Sequence, residues 1–250
     1  MTRQLSFDLP SVAALGREDF FVSPANAVAV AMIDAWQTWA GRKLALIGPE
    51  GSGKTHLVHV WAEAAGAQIT AASDLAGADI PALAHGHIAI EDIHEIAGNA
   101  GAEEALFHLH NLVLAEGHSL LVTADRPAQQ WGLSLPDLAS RMQGTPAAIL
   151  ERPDDRLLAA LVMKLFADRQ LSPSPKTISY LATHMDRSFA AARQIVAEID
   201  AAALAENRPI TRGLAARILS ETGLSSPPAS SPDAGTASDS RPDTDLDEAD

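Results

Sequence analysis

The pattern of apolar and polar positions divides the chain in two. Between residues 23 and 150, short apolar runs alternate with segments of helical period; beyond Asp154 only the helical period remains. Ser23 followed by Pro24 predicts an N-cap and a proline in a first helical turn. Val28, Met32, Ala35, Trp36 and Trp39 then recur at helical spacing. Lys43–Ile47 is a short apolar run that stops at Gly48, and a helix is predicted over 55–65. Further strands are predicted at 68–71, 87–91, 119–124 and 147–150. Residues 102–116 predict a helix ended by Gly117, with Leu106, Leu109, Leu112 and Val113 on its apolar face. Strands separated by helices imply a parallel sheet with crossover connections.

In the second half, Asp154 and Asp155 cap a helix carrying Leu157, Leu158, Leu161, Val162, Leu165 and Phe166. Pro173 and Pro175 break the chain, and helices follow over 175–185, from Ser188 to 207, and from Thr211 to about 220. The expected organisation is an α/β domain over 15–152 and a small all-α domain over 153–222. A short peptide, 1–14, precedes them, and 223–250 follows as a tail.

Composition sharpens two of these assignments. The chain has 250 residues with 18 Lys and Arg against 32 Asp and Glu, a formal charge of −14. Seven carboxylates and a single Arg fall within 225–250, a stretch of Ser, Pro, Ala and Asp whose only large apolar residue is Leu246. Such a segment buries too little surface to offset its ordering entropy and is expected to be disordered. So acidic a chain is not expected to bind DNA strongly through a general basic surface. It contains no cysteine, which excludes disulfides, thiolate metal sites and cysteine nucleophiles. No leader-like or membrane-spanning run is seen, and a cytoplasmic location is expected. His56 and His59 stand three apart on a predicted helix, but packing accounts for them better than a metal.

The chemistry concentrates in one motif. Gly48, Pro49, Glu50, Gly51, Ser52, Gly53, Lys54 and Thr55 fit G-x-x-x-x-G-K-[ST] between a predicted strand and a predicted helix. Glycines let backbone N–H groups converge on phosphate oxygens, and the helix N-terminus adds positive potential. Lys54 is expected at the β- and γ-phosphates of ADP or ATP, and Thr55 at Mg²⁺. The run ending at Glu91 and Asp92 supplies a carboxylate for the magnesium shell. The run ending at Thr123, Ala124 and Asp125 places polar groups where they could sense the γ-phosphate or orient water.

Taken with His56, with Glu91-Asp92-Ile93, with Thr123-Ala124-Asp125-Arg126-Pro127 and with Ser140-Arg141-Met142, this loop resembles the AAA+ module of the replication initiator DnaA. Phe20, Phe21 and Val22, with Asn26, look like the segment that closes over adenine in that family. The resemblance spans roughly 15–220 and implies a P-loop AAA+ parallel sheet flanked by helices, followed by a helical lid. The helical lid here is followed by the acidic stretch, where DnaA carries a DNA-binding helix-turn-helix. Gln4, Leu5, Phe7 and Leu9 are similar to the sliding-clamp-binding peptide of the DnaA-related Hda regulators. That branch implies a protein tethered to the clamp that stimulates ATP hydrolysis by DnaA, with a homo-oligomer also compatible. Arg141 then matches the arginine finger delivered in trans, and Asp92 the carboxylate that activates water. The lid arginine of the family aligns with Ala190, leaving Arg187 or Arg193 as its substitute. Glu91 stands where an aspartate is usual. Weak intrinsic hydrolysis is the consequence. The competing expectation is a DnaA-related or helicase-loader-like ATPase acting directly on DNA.

Overall fold

The computed structural model describes residues 20–225. The peptide carrying Gln4, Leu5, Phe7 and Leu9, and the tail from 226 onward, lie outside the described residues. After α1 (Ala27–Asp34) come β1 (Lys43–Ile47), α2 (Lys54–Ala65), β2 (Gln68–Ala71), α3 (Ile80–Leu83), β3 (Ile88–Glu91) and α4 (Ala100–Ala115). They are followed by β4 (Leu120–Ala124), α5 (Pro136–Gln143) and β5 (Ala147–Ile149), then α6 (Asp155–Asp168), α7 (Pro175–His184), α8 (Phe189–Glu206) and α9 (Arg212–Thr222). The five strands form one parallel sheet in the order β2-β3-β4-β1-β5.

Alternation along the buried strands divides the core between the two faces of the sheet. Leu44, Leu46, Ala89, Leu121 and Ala148 turn toward α1 and α2, and their cluster runs on through Phe166, Leu181 and Ile195 into the C-terminal helices. Ala45, Ile47, Ile88, Ile90, Leu120 and Val122 turn the other way, toward α4 and α5. The sheet and the helical lid therefore share one continuous apolar cluster. Side-chain caps start the lid helices: Asp154, Ser174, Ser188 and Thr211 each accept from the backbone N–H three residues on.

The first helix differs from expectation. Asn26, rather than Ser23, is its N-cap position. The Asn26 carboxamide accepts from Ser23 N–H (2.8 Å) and donates to Phe21 O (2.9 Å), which folds the segment ahead of it into a turn. The buried face consequently carries Ala29, Val30 and Ile33, while Val28 is 69% exposed. Residues 36–38 tighten into a 3₁₀ turn, and Trp39 and Trp61 stack with ring centroids 5.4 Å apart. On α4, Leu112 is partly exposed, and the polar Glu103 and His110 take buried places beside Leu106, Leu109 and Val113. At the other end of the chain, Leu224 O accepts from Asp186 N–H and Ser225 bridges to Met185, so the described chain closes onto the α7–α8 junction.

Candidate functional site

The phosphate loop leaves the carboxyl end of β1 and delivers the chain to α2, the place where open parallel sheets bind ligands. Strand register brings its neighbours alongside. Ile47 lies beside Ala124, Gly48 N–H donates to Ala124 O (3.1 Å), and β3 ends at Glu91 on the far side of β4. Asp92 follows in a left-handed conformation (φ 56°), and its N–H donates to the buried Thr123 hydroxyl (3.0 Å). The ends of β3 and β4 are thus pinned together, and the loop, Glu91, Asp92, Thr123 and Asp125 share one sheet edge.

The loop itself is shaped by close approach. A side chain at Gly48 would stand 2.6 Å from Leu150 O, and one at Gly51 (φ 74°) would stand 2.2 Å from Ser188 Cβ. Gly53 is the N-cap of α2, which has no side-chain cap, so the first N–H groups of that helix face the loop. Ser52 is 2% exposed and, among the described residues, its hydroxyl has no hydrogen-bond partner. A glycine-shaped cradle, an uncapped helix start and an orphaned buried hydroxyl fit a polyphosphate. Lys54 Nζ donates to Gly48 O (2.7 Å) and Pro49 O (3.2 Å), lying over the loop. Thr55 is exposed, Glu50 is exposed, and Pro49 is half-buried. A hydroxyl from Thr55 and a carboxylate from Glu91 are oxygen donors suited to Mg²⁺, which would neutralise phosphate charge there.

The helical lid closes on this loop in a way that sequence patterns do not reveal. Phe189 N–H, the first of α8, donates to Gly51 O (3.1 Å). The Phe189 ring stacks on Phe20 (centroids 5.8 Å apart), and Phe20 meets His56 edge-on at 5.0 Å. Phe20 is buried, Phe21 half-buried and Val22 exposed. Of the two candidate lid arginines, Arg187 is paired with Asp155 (2.6 Å). Arg193 is half-buried with no carboxylate in salt-bridge reach among the described residues, and burial works against its charge. Asp125 is also engaged: Arg126 Nε and Nη2 both donate to it at 2.7 Å and hold its carboxyl below the usual range, with His94 Nε2 at 3.6 Å.

Arg141 lies elsewhere. Its backbone sits near the start of β1, where Lys43 Nζ donates to Arg141 O (3.1 Å), and the phosphate loop follows the strand's other end. Its guanidinium rests over the Phe107 ring on α4, 5.1 Å from the centroid, on the sheet face away from α2. Beneath it, His110 Nε2 is 3.4 Å from Lys43 Nζ. Burial, with Lys43 and Arg141 nearby, pushes the His110 imidazole down to about 4. Burial first, and Arg141 second, likewise lower the Lys43 ammonium. Because His110 is neutral in the folded chain and titrates normally when unfolded, the unfolded state binds the extra proton between pH 6.5 and 4. Through this group, stability falls as the pH drops through that window, by about 2 kcal/mol from pH 7 to pH 5. Urea midpoints at those two pH values should show this loss, and His110→Gln should remove the His110 share, leaving the part owed to His87, which burial and His118 also lower.

The fold superposes on domain III of the replication initiation protein DnaA from Thermotoga maritima with a TM-score of 0.74, over 83% of this chain and 96% of that one, at 19% identity. This is an AAA+ fold. The AAA+ likeness extends to AMPPCP-bound DnaA from Aquifex aeolicus (TM-score 0.63, 20% identity, 73% of this chain and 64% of that one). It extends also to the RuvB Holliday junction branch migration motor of Thermotoga maritima (TM-score 0.60, 19% identity, 72% and 61%). The chain thus spans nearly all of the isolated DnaA domain but less than two thirds of those longer proteins. No protein-family model matches the sequence.

Sequence patterns miss Ser188 and Phe189 as neighbours of the loop, Phe107, His110 and Lys43 as neighbours of Arg141, and Glu103 as the partner of the backbone that leads into α5. The available signal is the pair of polar residues, Glu103 and His110, set seven apart within the apolar stripe of α4. That spacing returns to the same helix face.

Proposed function

We propose that the protein is a nucleotide-bound AAA+ regulator that restrains replication initiation by stimulating ATP hydrolysis on DnaA while tethered to the sliding clamp. In this reading Gly48–Thr55, together with Phe20–Val22, His56 and Arg193, hold ADP or ATP. Thr55 and Glu91 hold Mg²⁺, with Asp92 and Asp125 near the γ-phosphate. Gln4, Leu5, Phe7 and Leu9 engage the clamp: the carboxamide hydrogen-bonds at a pocket rim and the three apolar side chains are buried.

The observation that carries this reading is the setting of Arg141. The side chain is exposed, has no carboxylate in salt-bridge reach among the described residues, and stands across the sheet from α2. Five residues of β1, about 13 Å of strand, separate its neighbourhood from the loop. A cation so placed is poorly sited for its own nucleotide and well sited for a triphosphate bound to another molecule. The DnaA neighbours whose structures hold AMPPCP give such a partner its chemistry.

The test is a reconstituted reaction containing DnaA charged with ATP and the clamp loaded on DNA. Addition of the protein should accelerate hydrolysis, and the Gln4→Ala, Leu5→Ala double variant should lose that acceleration only where the clamp is required. No acceleration by the intact protein would remove the reading.

A further inference from the structure

Helix α4 presents three residues in successive turns toward the segment that carries Arg141. The first is Glu103, a carboxylate only 1% exposed. Its Oε1 accepts from Gly98 N–H (2.8 Å) and Ser134 N–H (3.0 Å), and its Oε2 from Leu135 N–H (2.7 Å). Burial pushes this carboxyl up, but the three N–H donors outweigh it and hold it below its ordinary value. Ser134 and Leu135 lead directly into α5, whose N-cap Leu135 offers no side-chain cap and whose first residue, Pro136, has no N–H. Glu103 thus anchors the two backbone N–H groups that lead into α5, as the carboxylate of a capping box holds an N-cap N–H. The second residue is Phe107, under the Arg141 guanidinium. The third is His110, beside the Lys43 ammonium that donates to Arg141 O.

These contacts have a common consequence. A carboxylate partner would fix a guanidinium but also neutralise it, and a phosphate would have to displace that partner. The neutral ring of Phe107 orients the cation through its quadrupole and leaves the N–H donors free at the guanidinium edge. The helix that carries the arginine is fixed separately, through its entry, by a carboxylate already engaged by Gly98, Ser134 and Leu135 N–H.

We propose that Glu103 and Phe107 are positioning residues for the Arg141 guanidinium, Glu103 through the start of α5 and Phe107 through its ring. Together they hold the cation preset for the triphosphate of a partner molecule. This rests on the reading of Arg141 as an arginine donated in trans. Preset geometry matters because small misplacements of a charge-stabilising group are felt mainly in the rate of the bound complex.

The experiment pairs a spectroscopic readout with the hydrolysis assay. In the full-length protein, the Arg141 Nε–Hε signal, assigned by its loss in Arg141→Ala, should be shifted upfield by the Phe107 ring. Phe107→Leu should remove that shift and lower the maximal stimulated hydrolysis about three- to fivefold, the size of one such contact at an exposed site. The protein concentration giving half-stimulation should stay unchanged. Phe107→Tyr, which keeps the ring face, should restore both shift and rate. Glu103→Gln places an amide NH₂ among N–H donors, and should lower the maximal rate without changing the half-stimulation concentration. If that variant does not fold, the Phe107 pair decides alone. An unshifted Arg141 signal in the wild type, or a full maximal rate in Phe107→Leu or in folded Glu103→Gln, would overturn the proposal. Arg141→Ala with undiminished stimulation would instead overturn the reading of Arg141 itself, and the shift would still report whether the ring holds the guanidinium.

Discussion

Arg141→Ala is expected to reduce the stimulated hydrolysis of DnaA-bound ATP by about a thousandfold or more, the usual loss when an arginine finger is removed. Affinity for ADP should be retained, because the Arg141 carbonyl is held by Lys43 at the start of β1 and the guanidinium rests over Phe107, on the sheet face away from α2. Arg141→Lys should rescue little. A lysine keeps the charge but not the planar fork that binds phosphate oxygens two at a time. The side chain makes one cation–π contact and no ion pair among the described residues, so its truncation should cost less than about 1 kcal/mol of stability. A large loss of rate beside a small loss of stability is the signature of a group whose work is done on another molecule. Single-turnover hydrolysis and urea unfolding of the same preparation would show whether the two separate.

Gly51→Ala should produce the second large effect, and of the opposite kind. The position has φ 74°, where an L side chain costs about 1–2 kcal/mol. Its new Cβ would also stand 2.2 Å from Ser188 Cβ at the start of α8. Either the loop or the first turn of α8 must move, at a cost of about 1–3 kcal/mol for overpacking. The bond from Phe189 N–H to Gly51 O would be strained along with the stack of Phe189 on Phe20. The expected outcome is a protein destabilised by about 2–5 kcal/mol that has also lost measurable affinity for ADP by titration calorimetry. Adding Ser188→Gly should relieve the 2.2 Å contact, leaving the backbone strain and costing a few tenths of a kcal/mol through the lost Ser188 cap, and so recover part of the stability. If the double variant is no more stable than Gly51→Ala, the lid does not bear on the loop as described.

Much of this architecture is legible from local pattern. Buried strands such as Leu120–Ala124 are continuous apolar runs, and the lid helices announce themselves through Asp154, Ser188 and Thr211, because period and capping are properties of neighbouring residues. The phosphate loop is legible for the same reason. The start of α1 was not, since Asn26 uses its side chain to fold the residues before it, and Ser23 with Pro24 offers the same signal one turn early. Helix α5 was not, because its entry is secured by a carboxylate more than thirty residues upstream. The contact of Phe189 with Gly51 joins residues 138 apart in the chain, and no local pattern reports it. Asp125 illustrates the converse: its place at the end of β4 follows from the strand, but its bidentate pairing with Arg126 is a side-chain choice that only the folded chain reveals.

In the proposed function the Arg141 guanidinium acts on a nucleotide that this chain does not itself hold. DnaA charged with γ-labelled ATP, mixed with the protein pre-bound to unlabelled nucleotide and with clamp-loaded DNA, distinguishes the two molecules' phosphates in a single turnover. Rapid release of label with the intact protein, and none with Arg141→Ala, is the outcome this account requires. Label that stays on DnaA while the protein's own ATP is consumed would contradict it.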